Sequence, residues 1–218
     1  MPLLLLDLDN TLLDRARAFR TWGDLFLTSI GAPAVDIDWL LDLDADGLTD
    51  RWDVADALRD RYRLQIPSID IVDALHDGVV ANSRLDPMVA CALGIAGDAG
   101  WVPVVVSNGV TRYQEAKIRK TGLDRYVADW VISEEAGVSK PNPRIFAIAA
   151  ERVGHRLSGA WLIGDSPEVD VGGASALGIP SAWIRRGRQW PDERFAPTRT
   201  CDGVIEALAA VLATKKPG

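Results

Sequence analysis

Leu3-Leu4-Leu5-Leu6, followed at once by Asp7-Leu8-Asp9-Asn10-Thr11, is the stretch that most constrains what this chain can fold into. Four leucines bounded by Pro2 and a polar cluster predict a short strand buried on both faces. Strands of that kind belong to parallel sheets covered on both sides. This one stops at two carboxylates set two residues apart, and a period of two would put Asp7 and Asp9 on one face if the strand ran that far. Unpaired buried carboxylates are costly, so the pair points to a site. A plain Asp/Asn/Thr turn remains the alternative from this stretch alone.

The chain has 218 residues, with 31 acids against 24 bases and a formal net charge of −7. That balance disfavours nucleic acid and anionic membrane as main partners, because both are held through basic patches. A hydrophobic fraction of 48% and a charged fraction of 25% suit a globular protein long enough to bury a sizeable core. No apolar run approaches the roughly 20 residues that cross a bilayer. The N-terminal residues lack the basic start and cleavage site of a signal peptide, and Asp7 interrupts their apolar run. Cys91 and Cys201 stand far apart without ligand spacing. They read as reduced, structural residues of a cytoplasmic protein.

After Thr11 the period changes. Phe19, Trp22, Phe26 and Ile30 recur at helical spacing until Gly31-Ala32-Pro33. Val35 to Leu43 reads as a helix with interleaved acids. Trp52, Ala55, Leu58 and Tyr62 form another stripe, and Ser68 is the expected cap of a helix carrying Val72, Leu75 and Val79. Residues 15–84 therefore read as a helical block. From Asp86-Pro87, a cap followed by a first-turn proline, strands and helices alternate. Strands are predicted at Val102–Val106, Trp130–Ile132, Trp161–Ile163 and Ser181–Ile184. Helices are predicted from a Thr111-to-Gln114 capping box to Gly122, from Asn142-Pro143 to Gly154, and over Val204–Leu212. The fold class is α/β: a doubly wound parallel sheet of residues 1–14 and 85–218, with a helical domain, 15–84, inserted after its first strand.

In such a sheet the carboxyl ends of the strands share one edge, where ligands bind. That edge receives Asp7 and Asp9 from the first strand and Ser107-Asn108-Gly109 from the second. It receives Ser133-Glu134-Glu135 and Lys140-Pro141 after the third, and Gly164-Asp165-Ser166 with Asp170 after the fourth. Taken singly, each has a structural explanation: a turn, a surface lysine, a helix cap. Their arrival in this order on one edge is much harder to obtain by chance.

With these four segments in hand, the chain resembles the haloacid dehalogenase superfamily of hydrolases. Its motifs stand here as Asp7-Leu8-Asp9-Asn10-Thr11, Ser107-Asn108-Gly109, Lys140-Pro141, and Gly164-Asp165 with Asp170. The insertion after the first motif resembles that superfamily's helical cap, and Ile132 to Phe146 is most similar to its small-molecule phosphatases. The resemblance implies a Rossmann-like core and phosphoryl transfer. Asp7 would be the nucleophile, forming an aspartyl-phosphate, and Asp9 the general acid and then base. Ser107, Asn108 and Lys140 would bind the phosphate. Mg²⁺ would be held by the side chains of Asp7 and Asp165 and the backbone carbonyl of Asp9. Asp170 would stand behind them or tie to Lys140. The electrostatics agree with a cation: two like charges about 4 Å apart repel by about 4 kcal/mol at an effective dielectric of about 20. Three acids and a phosphate dianion exceed what one lysine offsets, and a divalent ion with oxygen ligands suits the deficit.

The expected activity is a Mg²⁺-dependent phosphomonoester hydrolase acting on a small phosphorylated metabolite, with the oligomeric state left open. A phosphomutase or phosphotransferase is the alternative within the superfamily, and a phospho-Asp signalling receiver the one outside enzymes. A receiver carries no helical insertion after its first strand. A dehalogenase needs no acid for its leaving group, so Asp9 argues against it. In the inserted domain Trp22, Trp39 and Trp52 are candidate substrate contacts, although Trp22 and Trp52 sit on stripes that predict core positions. Asp42-Leu43-Asp44-Ala45-Asp46-Gly47 with Asp50 and Asp53 matches part of an EF-hand loop. Asp53 in place of a bidentate Glu, and Thr49 at an apolar position, favour an acidic turn instead. Arg185-Arg186-Gly187-Arg188 reads as a solvated basic loop.

Overall fold

The computed structural model of the protein describes residues 1–191 and 194–214. The chain divides into two compact units, Met1–Leu13 with Leu85–Gly218, and Asp14–Arg84.

The first unit is built on one sheet of six strands: β1 (Leu3–Leu6), β2 (Val102–Ser107), β3 (Asp129–Ile132), β4 (Trp161–Gly164), β5 (Ser181–Ile184) and β6 (Arg199–Cys201). Their order is β3-β2-β1-β4-β5-β6, and every pairing is parallel. This is the doubly wound order, which reverses direction at β1 and β4 and leaves a ligand crevice beyond their carboxyl ends. The leucine run explains itself in this setting. Leu4 and Leu6 join one apolar cluster with Val105, Ile163, Leu93, Ile118 and Leu208. Leu3 and Leu5 join another with Val104, Leu162, Ile145, Phe146 and Ala149. The four are 0–1% exposed, and burying each leucine stabilises the fold by about 1.5–3 kcal/mol.

Helices of the second unit are α1 (Arg15–Ser29), α2 (Asp36–Asp44), α3 (Arg51–Tyr62) and α4 (Ser68–Asn82). Those of the first unit are α5 (Pro87–Asp98), α6 (Thr111–Thr121), α7 (Ser133–Ala136), α8 (Pro143–Arg152), α9 (Gly172–Leu177) and α10 (Val204–Leu212), with a π-helical turn at Pro167–Val171. The Asp86 and Asn142 side chains accept the Met88 and Arg144 N–H groups, each with a proline at the first helical position. Two expected caps differ. Ser68 is the first residue of α4 rather than its cap, and its hydroxyl donates to Asp56 at 2.5 Å. At α6 the cap residue is Val110, and the Thr111 N–H donates to the Glu134 carboxylate at 2.8 Å. An acid brought by the next loop thus replaces the local box. β6 and α7 carry no signal in the sequence. β6 is three residues long with only Cys201 buried, an edge strand defined by its pairing to β5 rather than by periodicity.

The second unit has its own core, in which Phe19, Trp22, Leu27, Leu40, Leu58, Ile71 and Leu75 pack together. Trp52, expected in that core, is 49% exposed. The buried stripe of α3 is Val54, Ala55 and Leu58, and it starts one step beyond Trp52. Trp39 packs its ring against the Arg61 guanidinium, 4.4 Å from the ring centroid. The acidic 42–53 segment is a turn whose Ala45, Asp46 and Gly47 all have positive φ. Its Asp44 is buried, with both carboxylate oxygens on Arg15 at 2.6 and 2.7 Å and a further bond from Arg51 at 2.9 Å. Two guanidinium groups therefore answer the charge that an ion would otherwise balance.

Leu5→Ala should cost about 2–5 kcal/mol in urea unfolding, through lost burial and the cavity left behind. Leu25→Ala, at a position 63% exposed, should stay within about 0.5 kcal/mol of the parent. Asp44→Ala leaves two cations without their carboxylate, and should cost about 3–5 kcal/mol in the same measurement.

Candidate active site

β1 ends at Leu6, but its pairing continues one residue further, since the Asp7 N–H donates to the Ile163 carbonyl at 2.9 Å. The backbone then leaves the sheet. Leu8 turns into the core, Asn10 adopts a φ of 61°, and the Leu12 and Leu13 N–H groups close on the Leu8 carbonyl at 3.0 and 2.9 Å. Asp7 and Asp9 are therefore separated by a turn, not carried along one strand face as period-two geometry would have it. Each meets its own cation.

The Lys140 ammonium lies 2.7 Å from Asp7 Oδ1 and 2.7 Å from Asp170 Oδ1. It is buried, where a lysine taken singly would read as a surface residue. Asn108 positions it: the side-chain carbonyl of Asn108 accepts the Lys140 N–H at 2.8 Å, and the amide returns a hydrogen bond to the Lys140 carbonyl at 3.0 Å. The Lys140–Pro141 peptide bond is cis. Asp170 is also fixed by the Ser166 N–H, which donates to Oδ2 at 3.0 Å. Gly164 makes room for it, because a Cβ there would lie 2.3 Å from the Asp170 carboxylate.

Asp9 is met by residues that the motifs do not name. The Lys117 ammonium contacts both of its oxygens, at 2.8 and 2.7 Å, and Gln114 donates to Oδ2 at 3.0 Å. Gln114 also donates to Ser107 Oγ at 2.6 Å. A signal existed. The buried stripe of α6 is Tyr113, Gln114, Lys117 and Ile118, and two polar side chains in such a stripe require buried partners.

Asp165 receives Arg186 at 3.3 Å and Arg188 at 3.1 Å, both on Oδ2. The basic loop thus reaches the site through Arg186 and the more exposed Arg188, while Arg185 pairs with Asp202. Among the described residues, Asp7, Asp165 and Asp170 form the group of acids able to hold a cation, with ligand atoms within 4.8 Å of one another. An all-oxygen set of this kind suits a hard divalent ion.

Burial pushes the Asp7 carboxyl up from 3.8 to about 7, with Asp170 and Asp165 adding to the rise and Lys140 opposing it. Asp165 is raised by burial and by Asp170, against the pull of Arg188 and Arg186. Burial works against the charge on Lys140, yet Asp170 and Asp7 outweigh it and hold the ammonium above its ordinary value. Burial is the main cause of both rises, and a divalent cation held by these oxygens would favour their charged forms, so the donor set fits one.

The sign of the pH dependence follows. The folded-state value of Asp7 lies above its unfolded value, so the folded protein binds that proton more tightly. This stabilisation is present below about pH 4 and is lost as pH rises through about 7. Thermal unfolding of protein treated with chelator should show a melting temperature that falls across that window. Asp7→Asn should flatten the fall.

Known proteins resemble this chain in sequence and in fold. Residues 1–178 match the model of the haloacid dehalogenase-like hydrolases. The chain is 35% identical over 103 residues to pyrimidine 5'-nucleotidase YjjG of Escherichia coli (strain K12), covering 47% of this chain and 46% of that protein. It is 36% identical over 117 residues to glyceraldehyde 3-phosphate phosphatase of Methanopyrus kandleri, covering 54% and 50%. A dehalogenase also stands among its relatives, (S)-2-haloacid dehalogenase 4A of Burkholderia cepacia, 29% identical over 115 residues, covering 53% and 49%. The match spans about half the length of these curated relatives. In fold, the chain is similar to the HAD-hydrolase YfnB of Bacillus subtilis, a structure bound to magnesium, with a TM-score of 0.79 and 21% identity over 98% of this chain and 99% of that one. With a family model matching residues 1–178, most of its length, this chain belongs to the haloacid dehalogenase-like hydrolases.

Proposed function

We propose that this protein is a Mg²⁺-dependent phosphomonoester hydrolase that acts on a small phosphorylated metabolite through an aspartyl-phosphate. The observation that carries the reading is the separate pairing of two carboxylates at one strand end, Asp7 with Lys140 and Asp9 with Lys117. Nucleophile and proton carrier need different surroundings, and these two acids have them.

In this reading an Asp7 oxygen attacks phosphorus. The bond from phosphorus to the leaving oxygen breaks with its electron pair on that oxygen, which takes the Asp9 proton. Water then gives a proton to Asp9 and attacks the same phosphorus. The bond to Asp7 breaks, inorganic phosphate leaves, and both carboxylates return to their starting states. Lys140 and the Ser107 hydroxyl carry the charge of the phosphoryl oxygens. Asn108 holds Lys140 by one of its amide hydrogens and has a second for the phosphate. Asp7, Asp165 and the Asp9 carbonyl would hold the metal, which when bound supplies positive charge to the transferring phosphoryl group. Asp170 acts behind them, through Lys140.

The helical unit 14–84 serves as the cap that selects what carries the phosphate. Two relatives named above act, by their names, on a pyrimidine nucleotide and a triose phosphate. Both support a small phosphate ester as substrate. A dehalogenase reading is weaker, because halide departs without a proton and gives the Asp9–Lys117 pair no task. Among the described residues, no helix is long and apolar enough to cross a membrane.

Phosphate release from p-nitrophenyl phosphate should depend on added Mg²⁺ and vanish in Asp7→Asn. Asp9→Asn should lose about 10²–10⁴-fold in rate on esters with poor leaving groups. Release by the Asp7→Asn protein at the parental rate would sink the nucleophile assignment. Halide release from a 2-haloacid, without phosphate release from any ester, would favour the dehalogenase.

A further inference from the structure

We infer that Lys117 and Gln114 are positioning residues for proton transfer at Asp9. The inference rests on the phosphatase reading above, in which Asp9 carries the proton. Both side chains come from α6, three residues apart and so on one helix face. Gln114 is 4% exposed and Lys117 6%. A buried ammonium and a buried amide are costly to keep unless every group finds a partner. Here the partners belong to the site. Lys117 spans both oxygens of Asp9 and donates to Gln114 Oε1 at 2.7 Å. Gln114 then bridges Asp9 Oδ2 and Ser107 Oγ.

One amide therefore ties the carboxylate that moves the proton to the hydroxyl that binds the phosphate. Asp9 sits on a turn, whose backbone alone fixes a side chain loosely. α6 supplies a rigid helix, packed into the core through Ile118. Gly109 permits the arrangement, since it has a φ of 144° and a Cβ there would lie 3.2 Å from the Gln114 side chain. Removing the clamp leaves Asp9 present but misplaced, and a displacement of about 1 Å in a reacting group costs on the order of 10²-fold.

The leaving group separates this role from a merely structural one. Phenolate needs a proton as it departs, whereas 2,4-dinitrophenolate does not. kcat/KM should be measured with Mg²⁺ for phenyl phosphate and 2,4-dinitrophenyl phosphate in the parent, Lys117→Met, Gln114→Leu, Asp9→Asn and the Asp9→Asn/Lys117→Met double variant. The ratio of the dinitrophenyl to the phenyl value should rise at least about tenfold in Lys117→Met, and in the same direction in Gln114→Leu. In the Asp9→Asn background, Lys117→Met should cost less than about threefold more, because it acts through Asp9. Equal losses on both esters, or a full additional loss in the double variant, would overturn the inference. If Lys117→Met lacks a native near-ultraviolet circular dichroism spectrum, Lys117→Arg and Gln114→Leu carry the same test, and parental ratios in both overturn it. A rise in Asp9→Asn without one in the clamp variants removes the positioning role alone. No phosphate from either ester in the parent, or no rise in Asp9→Asn, removes the phosphatase reading and this inference with it.

Discussion

The Lys140 ammonium, buried between Asp7 and Asp170, is the interaction on which the rest of the site depends. Three ionisable groups out of water would be ruinous if any one lacked its partner. Much of the surrounding structure supplies those partners. Asn108 grips the Lys140 backbone from the end of β2, the Ser166 amide takes the second Asp170 oxygen, and Gly164 gives Asp170 its space. Segments after β1, β2 and β4 thus fix one lysine, which the segment after β3 carries. One ammonium against two carboxylates leaves a negative balance at this point, while Asp165 is met by Arg186 and Arg188. Burial is the largest cause of the raised Asp7 carboxyl, and Asp170 and Asp165 add to the rise against Lys140.

The precision of the arrangement comes from the sheet. Apolar clusters on both faces clamp β1, so the position of Asp7 is set by Leu3 to Leu6 and their neighbours on either side. A strand exposed on one face would be softer, and a carboxylate at its end less well aimed. The crevice forms between β1 and β4 because the chain order reverses there. The helical unit has a separate core and its own buried charge cluster at Arg15, Asp44 and Arg51. Its stability is built from different residues than those of the sheet.

Much of this was legible in the residues themselves. The leucine run announced a doubly covered strand, and Asp86-Pro87 and Asn142-Pro143 announced helix starts that the structure contains. Two of the errors share one cause. Ser68 and the Thr111-to-Gln114 box each have a strong local reading, and in both a group distant in sequence took the side chain or the backbone N–H, whereas Trp52 lies just outside the buried stripe of α3. Gln114 is the clearest example. As a box residue it would face its own helix end, but Ser107 and Asp9 offered it partners inside the core. β6 went unseen for a related reason, since an edge strand of Arg-Thr-Cys has no periodicity and exists through its pairing to β5.

Sequence by itself determined the strand-and-helix alternation, the helical insertion and the identity of the acids, hydroxyl and lysine brought to one sheet edge. Periodicity and breakers are local properties, and the parallel sheet turns strand ends into neighbours. Only the tertiary structure decided which charges face each other. It paired Lys140 with Asp7 and Asp170, Lys117 with Asp9, and Arg186 and Arg188 with Asp165. Pairing energies depend on distances of a few ångströms between residues as many as 133 positions apart, and no local pattern encodes those distances. They follow from how far each helix and loop reaches once both faces of the sheet are packed.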